Sequence, residues 1–295
     1  MAITAGLVKE LREKSGAGMM DCKKALEATD GNMDAAIDWL REQGIAKSVK
    51  KSGRIAAEGL SRVKVDGNKA VVIEVNSETD FVAQNEQFLN LLDKTAEVVL
   101  ANAPATMEDC LAISVDGGTL ENMFIEATAT IGEKITLRRF EVVTKSDDET
   151  FGAYMHMGGK ISACVVLKGS SEEVAKDMAM QVASMSPQYI SRNEMPEEII
   201  NHERSVQEGL VKNDESLQGK PEKVLAGIIE GRLSKSLQDI ALVDQIFFKN
   251  QDIKCGQYLK ENNASVAKFV RYAVGEGIEK REENFAEEVA KQIGK

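Results

Sequence analysis

Apolar side chains recur at helical spacing through residues 1–54, and this pattern predicts three short helices. Thr4 has the side chain and the position of an N-cap for the first helix, which the two glycines of segment 15–18 then end. Asn32 follows an Asp-Gly turn and is a suitable cap for the third helix. The basic, polar run at 47–54 predicts a linker between this helical module and the rest of the chain.

The pattern changes to β-type after this basic run. Strand-type segments at 55–65 and 70–75 flank Asp66-Gly67-Asn68, and an Asp-Gly pair in that setting predicts a β-hairpin. Helical spacing of apolar residues then predicts one long helix over 79–100. The elements predicted after it are a helix and a strand, at 120–131 and 135–143.

The same order of elements recurs in the second half of the chain. A hairpin, a helix, a later helix and a final strand are predicted at 151–167, 171–185, 252–262 and 265–274. When the two halves are compared at a shift of 91 positions, Gly67-Asn68-Lys69 falls on Gly158-Gly159-Lys160. The recurrence predicts two related α+β halves.

Two highly charged helical runs interrupt the second half, and each has a proline near its start. They cover 196–212 and 221–237, with a short polar segment between them. Helices joined in this way predict an antiparallel hairpin of the coiled-coil kind, inserted at about 187–237. The hairpin is either a solvated protrusion or a site of self-association or partner contact.

Together these patterns predict an α+β chain in four parts. These are a three-helix N-terminal module, a first core half, a second core half that contains the helical hairpin, and a C-terminal module with a short charged helix. The predicted boundaries are 1–54, 55–145, 146–274 and 275–295.

Composition limits the function. The chain has 295 residues and a formal net charge of −11, so it repels phosphate backbones and direct nucleic-acid binding is not expected. Its four cysteines are far apart, without a CxxC pair, which favours a reducing cytoplasm over disulfides or a zinc site. No apolar stretch approaches the roughly 20 residues that span a bilayer, and the amphipathic N-terminus does not fit a signal peptide. We expect a cytoplasmic protein that has no membrane partner.

Residues with catalytic potential do not form a known arrangement. The two histidines, His156 and His202, lie in neither a triad nor a HExxH spacing. The runs Gly16-Ala17-Gly18 and Gly275-Glu276-Gly277 do not continue into a phosphate-binding loop. We therefore expect neither enzyme chemistry nor a bound metal or cofactor.

The most informative segment is 74–85, where the first hairpin meets the predicted long helix. Thr79 or Asp80 can cap that helix, and the carboxylate suits the positive end of the helix dipole. Phe81 stands seven positions before Phe88, so it either extends the buried face or serves as an exposed interface anchor. The repeat places Glu172 or Glu173 at the equivalent position, and a site that accepts a carboxylate favours exposure.

Two segments resemble characteristic motifs of the elongation factor Ts family. They are EVNSETDFVAQN at 74–85 and LREKSGAGMMDCKKAL at 11–26. The predicted layout is also similar to that family, with a helical N-terminal module, a two-part core, an inserted hairpin and a short C-terminal module. The segment NMDAAIDWLREQG at 32–44 is similar to three-helix modules of the ubiquitin-associated type.

The resemblance implies a guanine-nucleotide exchange factor for the GTPase elongation factor Tu, with no catalytic residues of its own. Thr79-Asp80-Phe81-Val82 would disturb the Mg²⁺ site of the partner, with Phe81 as a wedge between partner helices and Asp80 beside it. Gly16-Ala17-Gly18-Met19-Met20 would lie against the nucleotide-binding domain of the partner.

Three other functions are compatible with parts of the sequence. The N-terminal module could make the chain a helical adaptor, with Met19-Met20 as its contact. A basic run could bind RNA, and a thiol could serve an enzyme, although a solvated connector and a structural thiol are the usual roles of such residues. The residues concerned are Lys47, Lys50, Lys51 and Arg54 for RNA, and Cys22 and Cys110 for catalysis.

Overall fold

A computed structural model describes residues 3–279 of the chain. Contacts divide the described residues into two compact units, one built from 3–62, 73–142 and 272–279 and the other from 63–72 and 143–271. Helices and strands both contribute, as the predicted α+β class requires. The predicted C-terminal helix, from about residue 282, lies outside the described residues.

The N-terminal helices are α1 (Ala5–Ser15), α2 (Met19–Ala28) and α3 (Met33–Lys51). The predicted caps are confirmed, since Thr4 accepts a hydrogen bond from Leu7 N and Asn32 accepts one from Ala35 N. The three helices enclose a small apolar cluster of fully or almost fully buried side chains: Val8, Leu11, Cys22, Ala25, Leu26 and Ala36.

The chain continues through a mixed region that includes the first sheet. Its elements are β1 (Glu58–Asp66), β2 (Lys69–Ser77), α4 (Asp80–Ala83), α5 (Glu86–Asn102), α6 (Met107–Leu111), β3 (Ser114–Val115), β4 (Gly118–Thr119), α7 (Leu120–Ile131) and β5 (Thr136–Thr144). The sheet has the order β1-β2-β5, so β2 is its central strand, and it is buried from Ala70 to Ser77. The predicted hairpin is confirmed.

The predicted linker at 47–54 is wrong for most of its length, because α3 continues to Lys51. Gly44 faces α7 closely enough that a Cβ there would lie 3.4 Å from the Ala129 Cβ. Lys47 Nζ is 2.7 Å from Asp21 Oδ2, and Lys51 Nζ donates to Thr128 O at 3.2 Å. Basic composition predicts a solvated connector, but these contacts with α2 and α7 stabilise a helix instead.

The prediction of one helix over 79–100 is also wrong, because two helices occupy this stretch. Helix α4 ends at Ala83, and Asn85 takes an extended conformation as the N-cap of α5, accepting from Gln87 N at 2.8 Å. The break places Phe81 and Phe88 on two separate helices. Phe88 is fully buried while Phe81 is 83% exposed, so the seven-residue spacing does not place them on one face.

The second region repeats the order of the first. Its elements are β6 (Glu149–His156), β7 (Ile161–Lys168), α8 (Glu172–Met185), α9 (Glu197–Lys212), α10 (Glu222–Ile240), β8 (Ile246–Phe247), β9 (Asn250–Lys254), α11 (Cys255–Glu261) and β10 (Ser265–Ala273). The sheet order is β10-β7-β6, so again the second strand of the hairpin is central and the last strand returns beside it. Gly152 permits close packing, because a Cβ there would lie 1.8 Å from Ala175 O on α8.

The predicted helix at 252–262 is wrong in its first turn. Residues 250–254 form strand β9, which pairs antiparallel with β8, and the helix begins at Cys255. Phe247 is buried and stacks on the ring of Tyr258, with 4.1 Å between the centroids. This packing anchors β8, and β8 in turn provides the partner that makes β9 a strand.

Helices α9 and α10 begin directly after Pro196 and Pro221, as predicted. They contact each other through an ion pair of Arg204 with Glu230 and a hydrogen bond from Ser236 Oγ to Glu203 Oε1. Partly exposed apolar side chains remain along them, namely Ile199, Val206, Leu210 and Val224.

Among residues 3–279, no helix is both long enough and apolar enough to cross a lipid bilayer.

Candidate functional site

Phe81 occupies the first turn of α4, directly after the central strand β2. Its side chain is 83% exposed, while Ala83 on the same short helix is buried. Asp80 is exposed at the helix start and Val82 is half-buried. A phenyl ring left in water forgoes about 1.5–3 kcal/mol of burial, so its exposure on an ordered turn is typical of an interface anchor.

Glu133 fixes the start of this turn. Its carboxylate accepts hydrogen bonds from Glu78 N at 3.1 Å, from Thr79 N at 3.0 Å and from Thr79 Oγ1 at 2.7 Å. Thr79 Oγ1 in turn accepts from Val82 N at 3.4 Å, so Thr79, one of the two predicted caps, is the N-cap. One carboxylate therefore holds the residues that precede Asp80 and Phe81.

Glu78, which donates its N–H to Glu133, also accepts a hydrogen bond from the residue after Glu133 through its own carboxylate. It accepts from Lys134 N at 2.6 Å and pairs with Arg54 at 3.2 Å. Ser77 Oγ donates to Thr79 O at 2.9 Å. Hydrogen bonds in both directions therefore connect the turn that carries Phe81 with the segment 132–134.

Glu74 lies further back on β2 and is fully buried. Its oxygens accept from Arg138 at 2.9 Å, from Arg139 at 2.6 Å and from Gly275 N at 2.8 Å. Burial by itself raises the pKa of this carboxyl, but the hydrogen bonds from Gly275, Arg138 and Arg139 outweigh it and lower the pKa below its ordinary value. The charged side chain of Glu74 thus links the central strand β2 to β5 and to the chain after β10.

The second predicted group surrounds the junction of α1 and α2. Gly16 ends α1 in the left-handed region at φ +66°, and Gly18 is the N-cap residue of α2. Ala17 packs on the N-terminal apolar cluster, whereas Met19 and Met20 are 53% and 65% exposed. The junction presents two flexible apolar side chains to solvent.

Both groups belong to the first compact unit but lie on different elements. A cavity of about 570 Å³ borders the N-terminal group. The residues that line it include Ala17, Gly18, Gly44 and Asn122.

The basic residues of 47–54 are largely engaged within the chain. Lys47 pairs with Asp21, Lys51 donates to Thr128 O, and Arg54 pairs with Glu78. Burial lowers the pKa of Lys51, and the charge of Arg54 lowers it further. These contacts leave less positive charge available for a nucleic-acid backbone than the sequence indicates.

The two histidines belong to the second compact unit, whereas both groups belong to the first. His156 ends strand β6, where its Nδ1 is 3.3 Å from the hydroxyl of Tyr154, and His202 lies on α9. Within residues 3–279, no three His, Cys, Asp or Glu side chains are grouped so that they could hold a metal ion.

Cys22, Cys110, Cys164 and Cys255 are all buried free thiols. Burial raises the pKa of Cys110 to about 11 and that of Cys255 to about 12, from an ordinary value of 9.0. The thiolate is the reactive form, so these two residues lack the features of a nucleophile.

We therefore expect Cys110 and Cys255 in the native protein to react with iodoacetamide at pH 8 at least about 100-fold more slowly than in the unfolded chain, because thiolate is depleted and access is blocked. Timed quenching and peptide mass spectrometry measure both rates, with protein in guanidinium chloride as the control. Equal rates in the two states would contradict the assignment of these thiols as structural.

Comparison with known families decides the classification. The sequence profile of the family described as "Elongation factor TS" matches residues 78–276, more than half of the chain. The chain belongs to the elongation factor Ts family. Membership implies a nucleotide exchange factor for elongation factor Tu in translation elongation, which is not an enzyme in the usual sense. The match includes Thr79 to Val82 and the second sheet, and it begins after the N-terminal helices.

Sequence reasoning missed Glu133, the residue that holds the Phe81 turn. It lies in the short connection between α7 and β5, 54 positions from Thr79. A carboxylate beside a glycine in a turn has no periodicity that marks it, so the pairing becomes visible only when the two segments are seen together.

Proposed function

We propose that this member of the elongation factor Ts family binds GDP-bound elongation factor Tu through Thr79-Asp80-Phe81-Val82, disturbs the Mg²⁺ and phosphate site of the partner, and so promotes GDP release before GTP rebinds. The observation that carries the proposal is the 83% exposure of Phe81 on a turn fixed by Glu133 and Glu78. Phe81 acts as a wedge between helices of the partner, and Asp80 lies beside it.

The physical basis is thermodynamic linkage. A protein that binds the nucleotide-free GTPase more tightly than the GDP-bound form weakens GDP binding by the same factor. To invert a population of bound and free states, this difference must reach about 5 kcal/mol. A ring that enters the partner only when its helices separate gains its burial energy in one state and not in the other, which is the differential affinity required.

We propose a second contact through Gly16-Ala17-Gly18-Met19-Met20, against the nucleotide-binding domain of the partner. The exposure of Met19 and Met20 supports it, because methionine side chains adapt to irregular surfaces. The three helices around their shared apolar cluster support a ubiquitin-associated-like module at 1–54 as the unit that presents this contact.

The remaining parts of the layout complete the proposal. In this proposal, the core has two related halves, at 55–145 and 146–274. An antiparallel helical hairpin that is capable of self-association is inserted at 187–237. The C-terminal module covers 275–295. The repeated sheet order and the contacts between α9 and α10 support this division. We place the activity in the cytoplasm.

The proposal is tested by mixing the full chain with elongation factor Tu that carries fluorescent GDP, in an excess of unlabelled GDP. We expect the fluorescence to decay many times faster than with unlabelled GDP alone, and the rate to rise with the concentration of the chain. Decay at the unstimulated rate, at concentrations where sedimentation shows a complex, would refute exchange activity.

A further inference from the structure

We propose that Glu133 is a positioning residue for exchange: its carboxylate holds Thr79 so that Phe81 is already oriented before the partner arrives. The inference rests on the proposed function of Phe81 and adds a residue outside the 79–82 segment. Glu133 itself need not touch the partner, because it acts through the start of α4.

The need for such a residue follows from the size of α4. The helix has four residues, Asp80–Ala83, and a single helical turn is unfavourable in water because the cost of nucleation is not recovered by propagation. Its first N–H groups have no partners within the helix. Without an external anchor, the turn and the ring that it carries would sample many conformations.

Glu133 supplies that anchor through three hydrogen bonds. It accepts from Glu78 N, Thr79 N and Thr79 Oγ1 at 3.1, 3.0 and 2.7 Å. Hydrogen bonds to an ionised carboxylate are about twice as strong as neutral ones.

The support of Glu133 is itself fixed on both sides. Thr128 and Ile135 exchange hydrogen bonds across the connection from α7 to β5, with Ile135 N donating to Thr128 Oγ1 at 3.1 Å. Lys134 Nζ donates to Ser52 O at 2.6 Å and to Arg54 O at 2.9 Å. The carboxylate is therefore presented from a rigid base.

This arrangement affects binding through preorganisation. A side chain and loop that are ordered in the free protein do not have to lose that freedom on association. A variant without the Glu133 carboxylate still has the Phe81 ring, but its turn must become ordered when the partner binds. The entropy cost of that ordering then weakens binding. We therefore expect an effect on exchange without any loss of contact area.

The experiment is a double-mutant cycle on stimulated GDP release, with Glu133→Gln, Phe81→Ala and the combined variant. Glu133→Gln removes the negative charge that strengthens these hydrogen bonds, and we expect the exchange rate to fall about tenfold. If Glu133 acts through Phe81, the combined variant exchanges no more slowly than Phe81→Ala alone. Glu121→Gln is the matched control, because it makes the same charge change at an exposed site on α7, and it should keep the parental rate.

Two measurements separate positioning from general damage to the fold. Thr79→Val removes the hydroxyl bond to Glu133 but no charge, and its smaller loss should also disappear in the Phe81→Ala background. Amide hydrogen exchange of Glu78 and Thr79 in the free chain should accelerate in Glu133→Gln, while the central strand β2 stays protected.

The outcomes distinguish the inference from the function on which it rests. If Phe81→Ala slows exchange and Glu133→Gln does not, positioning is wrong and the wedge stands. Losses that multiply in the combined variant likewise overturn positioning, because the two residues then act independently. A parental rate for Phe81→Ala overturns both.

Discussion

We expect Phe81→Ala to slow stimulated GDP release about 30-fold, corresponding to about 2 kcal/mol for the loss of a central interface anchor. The ring is 83% exposed in the free chain, so its energetic value is realised only when a partner covers it. Stopped-flow decay of fluorescent GDP, measured at several concentrations of the variant, gives the release rate directly.

The fold should not change in this variant. Residues other than the ring stabilise the turn, since Thr79 caps it and Glu133 and Glu78 anchor it. The thermal midpoint should therefore match that of the parent chain. Val65→Ala is the control, because it removes a partly exposed apolar side chain from the end of β1 and should leave exchange intact. Unchanged release with an intact complex would refute the wedge role of Phe81.

The second large effect concerns stability. We expect Glu74→Gln to lower the free energy of unfolding by about 3 kcal/mol, because removal of the carboxylate leaves two partly buried guanidinium groups and a backbone N–H uncompensated. Glu74 is fully buried and contacts Arg138, Arg139 and Gly275 N, so one substitution weakens both β5 and the chain after β10. Urea unfolding followed by circular dichroism measures the change.

The lowered pKa of Glu74 also predicts how the stability of the folded chain changes with pH. The pKa of Glu74 is lower in the folded chain than its ordinary value of 4.5, so the folded state favours the ionised form. This contribution is present above the unfolded pKa and is lost as the pH falls through the folded pKa. Below about pH 4.5, stability should therefore fall more steeply in the parent than in Glu74→Gln.

Glu121→Gln, at an exposed position, serves as the control for charge removal and should follow the parental pH profile. Parallel profiles for the parent and Glu74→Gln would show that the ion pair contributes nothing to acid unfolding.

Features that depend on neighbours a few positions away were predictable. Thr4 and Asn32 cap helices whose first N–H groups lie three residues on, and the Asp-Gly turn joins strands that adjoin it. The basic run at 47–54 was misread because its contacts, Asp21 and Thr128, are distant in sequence. A basic, polar composition indicates that a segment prefers solvent, but here packing against α2 and α7 outweighs that preference.

The candidate site was likewise predictable only in part. The motif at 74–85 marked Phe81, but helical period alone left both exposure and burial open for it. In the structure, α4 ends at Ala83 and Asn85 caps the start of α5, which separates Phe81 from the face that buries Phe88. That break is a local cap, and it was overlooked because the apolar spacing continues through it.

The order of most helices and strands, their recurrence in the second half and the family of the chain all follow from the amino-acid sequence, because short-range spacing and motifs carry that information. The repeat favoured exposure of Phe81, but the folded chain was needed to show that the ring faces solvent and that Glu133 holds its turn. Hydrogen bonds between positions 54 residues apart depend on the path of the whole chain between them, and no local pattern records that path.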